Sequence, residues 1–113
     1  MLTLESLRAW GADTAAGMNR CMNNETFYLK MIEKAMQDPS YDSLKQAVES
    51  GDLSHAFEIA HALKGVTGNL ALTPLDTPVR EITELLRSRT ETDYTPFLEE
   101  IITRKNELTE LLR

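Results

Sequence analysis

The chain has 113 residues, of which 42% are apolar and 27% charged, so it can form one globular domain with its own core. Its single cysteine excludes an internal disulfide, and its formal net charge of −6 argues against binding to nucleic acid. No apolar run is long enough to span a membrane, and the first residues lack the features of a signal peptide, so we expect a cytoplasmic protein.

Apolar residues recur at helical spacing along the whole chain, whereas the alternation typical of strands is missing. A first short helix is predicted to end near Gly11 and carries Leu2, Leu4, Leu7 and Trp10. Asp13 can cap a second helix, and Asn24 is a turn or cap before a third. The apolar stripe of the third helix consists of Phe27, Tyr28, Met31, Ile32, Ala35 and Met36.

Two breaks divide the middle of the chain. The Asp-Pro pair at 38–39 ends the third helix, and Ser40 can start a shorter one. The Gly-Asp pair at 51–52 breaks the chain again and caps a helix that begins at Leu53.

Two Thr-Pro pairs, at 73–74 and 77–78, compete as the start of the next helix, because Thr caps helices and Pro suits the first helical position. If the earlier pair started the helix, Pro78 would strain its second turn. We therefore predict a turn or loose first turn over 73–77 and regular helix over 78–89.

The last helix opens at the Thr-Pro pair 95–96. Four longer helices with short connections predict an all-α fold, an antiparallel four-helix bundle with a short extra N-terminal helix. We expect a single domain over 1–113, with N-terminal helices in 1–23 and the bundle in 24–113. The predicted bundle members are 24–37, 40–50 joined to 53–71, 78–89 and 96–112.

The helix over 53–72 differs from an ordinary structural helix. In projection, one sector is apolar and predicts the core face, formed by Ala56, Ile59, Leu63, Val66 and Leu70. The opposite face carries Ser54, Phe57, His61, Lys64, Gly65 and Gly68. We therefore expect His61 to be exposed, with Lys64 one turn beyond it on the same face.

Gly65 and Gly68 lie on the same face as His61. A glycine inside a helix costs about 1 kcal/mol relative to alanine, and on an exposed face it relieves no crowding in the core. We interpret both glycines as room for a large partner near His61, with Phe57 adding an exposed apolar patch. The structural alternative is a solvated histidine, a coincidental lysine and glycines packed against a neighbouring helix. The combination on one face favours a functional site.

Residues 60–72, AHALKGVTGNLAL, resemble the H-x-x-K-G phosphorylation motif of histidine-containing phosphotransfer (HPt) domains. The short first helix, the aromatic helix, the segment SYDSLKQAVESGD and the LTPL after the motif extend this resemblance over essentially the whole chain. HPt domains are four-helix bundles that relay a phosphoryl group between response-regulator receiver domains. One departure is Ala71, where the family commonly has glycine; we interpret it as a small packing change.

The resemblance implies that His61 accepts the phosphoryl group, that Lys64 is the basic residue beside the phosphate and that Gly65 leaves space for the receiver. We add Phe57 and Gly68 to the expected receiver-docking surface. A neutral imidazole is a good nucleophile, and phosphoryl transfer depends mostly on positioning and charge neutralisation, to which Lys64 can contribute.

The chain shows no P-loop, no nucleotide-binding glycine loop and no acidic Mg²⁺ cluster beside His61. We therefore expect a phosphoryl carrier without ATP-dependent kinase activity and without a cofactor, to which the receiver supplies Mg²⁺. The expected partners of this monomer are receiver domains and a hybrid sensor kinase. The alternative is a helical adaptor in which His61 is not phosphorylated.

Other candidate sites are weaker. His55 and His61 lie on different sides of the helix, so no metal site is expected. Cys21 is expected to be buried or half-buried and not a nucleophile. Four methionines, Met18, Met22, Met31 and Met36, are interpreted as core fillers, although Ala15, Ala16 and Met18 could extend the docking surface.

Overall fold

The computed structural model describes residues 1–113 and contains seven α-helices and no strand. They are α1 (Leu4–Trp10), α2 (Thr14–Arg20), α3 (Glu25–Met36), α4 (Ser40–Glu49), α5 (Leu53–Asn69), α6 (Thr73–Arg87) and α7 (Thr95–Leu111). The predicted all-α class is confirmed. No helix combines the length and the apolar character needed to cross a membrane.

The predicted caps Asp13 and Asn24 and the predicted helix end at Gly11 are confirmed. Asp13 Oδ1 accepts a hydrogen bond from the Ala16 N–H at 3.1 Å and so caps α2. Asn24 Oδ1 accepts one from the Phe27 N–H at 3.0 Å and caps α3. Gly11 ends α1 with a φ of 120°, a conformation that favours glycine.

The longer helices form an antiparallel bundle. α4 packs on α5, α5 on α6 and α6 on α7, while α3 and α4 both contact α7. The connections are short, at 50–52, 70–72 and 88–94, as expected for antiparallel neighbours. As predicted from the break at 51–52, the joined member 40–50 and 53–71 consists of two helices, α4 and α5, which pack on each other.

One cluster of 24 buried apolar residues runs from Leu2 to Leu108. The N-terminal helices are therefore fixed to the bundle by the same core as the longer helices. A polar contact adds to this attachment, because Trp10 Nε1 donates to Glu107 Oε1 of α7 at 3.0 Å. The hydrogen bond from Trp10 and, to a smaller extent, the one from Arg104 lower the pKa of Glu107.

The predicted start of α6 is wrong. The helix begins at Thr73, and no separate turn precedes it over 73–77. Pro78 lies inside the helix, where it lacks the N–H that would bond one turn back. This loss occurs close to the N-terminus of α6, and Thr77 Oγ1 supplies a nearby donor to the Thr73 carbonyl at 3.1 Å. Burial of Leu75 and Pro78 in the core offsets the remaining strain.

The second residue after α5, Ala71, is left-handed, with a φ of 55°. The Ala71 N–H donates to the Gly68 carbonyl at 3.1 Å and the Leu72 N–H to the Thr67 carbonyl at 3.0 Å, which is the Schellman pattern. A residue with a Cβ atom is strained in this conformation by about 1–2 kcal/mol, whereas glycine is not. The replacement of glycine by Ala71 therefore acts on the backbone and is more than the small packing change that we predicted.

Tyr28 links α2 and α3 to the end of α5. Its ring is fully buried, and its hydroxyl donates to the Leu70 carbonyl at 2.8 Å. A Cβ atom at Gly17 of α2 would overlap this ring and hydroxyl, so the glycine allows the close approach. Burial, together with the nearby Cys21 and Asp13, raises the pKa of Tyr28 to about 12. The contact brings α2 beside the C-terminal half of α5.

Candidate functional site

His61 lies in the middle of α5 on a face turned away from the core. Asp52 caps the start of the helix, because its Oδ1 accepts a hydrogen bond from the His55 N–H at 3.1 Å. The core face of the helix is held by the buried residues Ala56, Ala60, Leu63 and Thr67. The His61 side chain is exposed to solvent, as the helical projection predicts.

The buried sector of α5 is rotated from the predicted one. Ile59 and Val66, predicted on the core face, are half-buried, whereas Ala60 and Thr67 are buried. The rotation is towards the side on which Phe57, Lys64 and Gly68 lie, so these three residues are half-buried too. The physical reason is the packing of α6 along this side of α5. Of the five predicted site residues, only His61 and Gly65 are exposed.

Lys64 contacts α6 instead of extending freely into solvent. Its side chain is 26% exposed, and its Nζ lies 3.7 Å from Glu84 Oε1. The other oxygen of this carboxylate lies 3.2 Å from Arg87 Nε. Lys64 is therefore the first member of a charged row that continues along α6.

Phe57 does not form the exposed apolar patch that the sequence predicted. Its ring stacks on the His61 ring, with centroids 5.6 Å apart and an interplanar angle of 22°. The guanidinium carbons of Arg87 and Arg89 lie 5.0 and 5.6 Å from the Phe57 centroid. Two cations thus cover the Phe57 ring, and the stack restricts the orientation of the His61 ring.

The two glycines have different surroundings. A Cβ atom at Gly65 would have no neighbouring atom within 4 Å, so the surface beside His61 is open there. A Cβ atom at Gly68 would lie 3.0 Å from Arg80 Nη2 and 3.6 Å from Asp76 Oδ1. The expectation that the glycines relieve no crowding within the protein is met by Gly65 and is wrong for Gly68.

An open pocket of about 420 Å³ surrounds this face of α5 and has no apolar residue in its lining. It is formed by Arg20, His61, Lys64, Gly65, Gly68, Asn69 and Arg80. The structure therefore brings four of the predicted site residues together, while Phe57 lies outside the lining and behind His61.

Sequence reasoning missed Arg20, Asn69 and Arg80. Arg20 comes from α2 and Arg80 from α6, and no local pattern relates either helix to α5. Asn69, eight residues after His61, is the one that the helical projection could have found. The charged side chains of the lining are cations, so the pocket suits an anion.

The remaining candidates take no part in this pocket. Cys21 is free and buried, in agreement with its prediction. Met22 is 78% exposed with a φ of 59°, so its interpretation as a core filler is wrong, whereas Met36 is buried. His55 lies six residues before His61 and lines no part of the pocket. No three His, Cys, Asp or Glu side chains are grouped so as to hold a metal ion.

Comparison with known protein families gives one match. The family model for the Hpt domain matches residues 29–113, three quarters of the chain, including α4 to α7 and most of α3. Neither curated proteins nor solved structures give a significant match. The matched segment contains His61, Lys64 and Gly65, whereas Arg20 lies before it.

Proposed function

Because the chain belongs to the Hpt domain family, we propose that His61 accepts a phosphoryl group from the aspartyl phosphate of one receiver domain and passes it to another. Hpt domains have a phosphotransfer role in two-component signalling and are phosphocarriers, not kinases. The observation that carries the proposal is the exposed His61 in a cationic pocket, with Lys64 one turn away and the open Gly65 beside it.

The reaction needs one nucleophilic nitrogen. The unprotonated ring nitrogen of His61 attacks the phosphorus, an N–P bond forms, the P–O bond to the receiver's aspartate breaks and the carboxylate is regenerated. The onward step reverses these changes at the second receiver. Lys64 would balance part of the charge on the phosphoryl oxygens. The proposal assigns Mg²⁺ and the acidic residues that bind it to the receiver.

The surroundings of His61 support such an exchange. Stacking on Phe57 limits the orientations of the imidazole, which reduces the entropy lost when the reacting atoms meet. The open surface at Gly65 allows a receiver to approach His61 closely. In this proposal Gly65 faces the receiver directly, while Phe57 and Gly68 act through His61 and the pocket wall.

Further parts of the proposal concern the whole chain. We propose that residues 1–113 act as one domain, because one cluster of buried apolar residues includes side chains of α1 and α7. The proposed species is a cytoplasmic monomer whose partners are receiver domains and a hybrid sensor kinase.

The test is incubation of the purified chain with receivers of its source organism that carry a ³²P-labelled aspartyl phosphate. The proposal expects label to leave at least one receiver and to appear on this chain as an acid-labile, base-stable adduct. A stable complex without transfer would instead identify the helical adaptor. Absence of both complex and label with every receiver would refute the proposal.

A further inference from the structure

We propose that Arg20 and Arg80 complete a binding site for the phosphoryl group on His61, so that the N-terminal segment is part of the phosphotransfer site. This inference rests on the proposed function and extends it to residues that the H-x-x-K-G motif does not include. Its basis is the pocket in which cations from α2, α5 and α6 meet beside His61.

Arg80 is held in place by an extended hydrogen-bond chain. Its Nε lies 2.5 Å from Asp76 Oδ2, and Asp76 Oδ1 accepts a hydrogen bond from Thr67 Oγ1 at 2.7 Å. Because only Nε is used, both terminal amino groups of Arg80 remain as donors. Nη2 lies where a Cβ atom at Gly68 would be tightly packed, so the glycine allows Arg80 to reach the pocket.

Arg20 reaches the pocket from α2. Its Nη1 donates to the Gly68 carbonyl, one of the carbonyls at the end of α5. One guanidinium carries five N–H donors, so this bond leaves most of them available. Arginine presents these donors in a planar fork that matches the oxygens of a phosphoryl group.

The balance of charge makes Arg20 the most important of the three cations. Lys64 is paired with Glu84, and Arg80 is paired with Asp76. The partner of Arg20 is a neutral carbonyl, and no carboxylate lies within ion-pair distance of it. A phosphoryl group carries up to two negative charges, which the unneutralised Arg20 can balance without breaking an existing ion pair.

A small phosphoryl donor tests this site without a receiver. With phosphoramidate, the ring nitrogen of His61 takes the phosphoryl group, the donor's P–N bond breaks and ammonia leaves. Labelling rates and the ³¹P titration of the phosphohistidine are measured for the wild type, Arg20→Gln and Arg80→Gln. Arg113→Gln is the matched control, because Arg113 is 78% exposed and does not line the pocket.

We expect Arg20→Gln and Arg80→Gln each to slow labelling by about two- to fivefold, the range for an accessible ion pair. The larger effect is expected for Arg20→Gln, because Arg20 is not paired with a carboxylate. Removal of a nearby positive charge should also move the ³¹P titration midpoint to higher pH, because the dianion loses stabilisation. Arg113→Gln should change neither quantity. Thermal melts establish that all variants are folded. Arg20→Lys keeps the charge, so its ³¹P titration midpoint should stay close to that of the wild type.

Three results would overturn the inference. Equal rates and midpoints in all variants would show that the arginines do not bind the group. Slower labelling with an unchanged midpoint would show that Arg20 acts only by supporting the end of α5. A wild-type chain that forms no phosphohistidine, with either phosphoramidate or receivers, would refute the proposed function itself. The first two results, in which the wild type is labelled, would refute only the site.

Discussion

Lys64 Nζ lies 3.7 Å from Glu84 Oε1, so the cation of the motif is already paired with a carboxylate of the neighbouring helix. The Glu84 side chain is 59% exposed, and an ion pair of this kind contributes little to stability. A phosphoryl group on His61 would therefore compete with Glu84 for Lys64. Glu84 is expected to reduce the charge that Lys64 offers.

The first prediction concerns this competition. Glu84→Gln should speed phosphoryl transfer to His61 by about two- to fivefold, because it releases a charge held by an exposed pair. Lys64→Ala should slow transfer and lower stability only slightly, since its ion pair with the exposed Glu84 contributes little to stability. Transfer rates from a phosphorylated receiver measure both effects.

Glu81→Gln is the matched control, because Glu81 is an exposed residue of the same helix without an ion pair. A slower Glu84→Gln variant would contradict the competition and would show that the carboxylate positions Lys64 usefully.

The second prediction compares substitutions at Gly65, which faces open space, and at Gly17, which packs against Tyr28. Gly65→Ala should raise the free energy of unfolding by up to about 1 kcal/mol, because the new Cβ meets open space within a helix. Gly65→Gln should leave the fold intact but place atoms beside His61, so transfer should fall strongly. Gly17→Ala should lower stability by about 1–3 kcal/mol or more, because its Cβ overlaps Tyr28.

Thermal melts and transfer rates on the same preparations decide whether Gly65 serves docking of the receiver or packing of the fold. If Gly65→Ala lost stability and transfer together, Gly65 would be a packing residue and the open surface would have no role in docking.

The third prediction compares two buried tyrosines. The Tyr28 hydroxyl donates to the Leu70 carbonyl, whereas the Tyr41 hydroxyl is buried without a partner. Tyr28→Phe should therefore cost about 1–2 kcal/mol, and Tyr41→Phe should be neutral or slightly stabilising. Urea denaturation at neutral pH measures the difference. Equal losses in both variants would mean that the Tyr28 hydrogen bond adds nothing to stability.

The pKa of Tyr28 also gives a pH dependence. Because burial raises it from 10.0 to about 12, its neutral form contributes fully to stability below pH 10. This contribution is lost as the pH rises from 10 towards 12. Tyr28→Phe should remove part of the alkaline loss of stability, and a variant with the full wild-type loss would contradict the assignment.

Local patterns predicted much of the fold and the centre of the site. Caps such as Asp13 and Asn24 act through bonds within one turn, and the exposure of His61 follows from helical periodicity alone. Arg20 and Arg80 could not be found in this way, because their positions depend on how α2 and α6 pack on α5.

The errors at Phe57 and Pro78 have a related cause. The packing of α6 rotated the buried sector of α5 and covered part of Phe57, which a projection of an isolated helix does not include. The predicted start of α6 was based on the local strain at Pro78, and burial of Pro78 outweighs that strain. In both cases tertiary contacts outweighed a local preference.

The fourth prediction concerns Ala71. Ala71→Gly should raise the free energy of unfolding by up to about 1 kcal/mol, because removal of the Cβ relieves a left-handed residue. The gain is limited by the entropy of glycine in the unfolded chain and by the lost burial of the Cβ. Ala62→Gly, at an exposed position inside α5, is the control and should lower stability instead. Losses of equal size in both variants would contradict the strain at Ala71.

The identity of the phosphorylated residue tests the account most directly. His61→Gln and His55→Gln are each incubated with a phosphorylated receiver that labels the wild-type chain, and the adduct is located by mass spectrometry under basic conditions. We expect acid-labile label to disappear in His61→Gln and to remain in His55→Gln, since only His61 lies in the cationic pocket. Label that persists in His61→Gln would contradict the central claim.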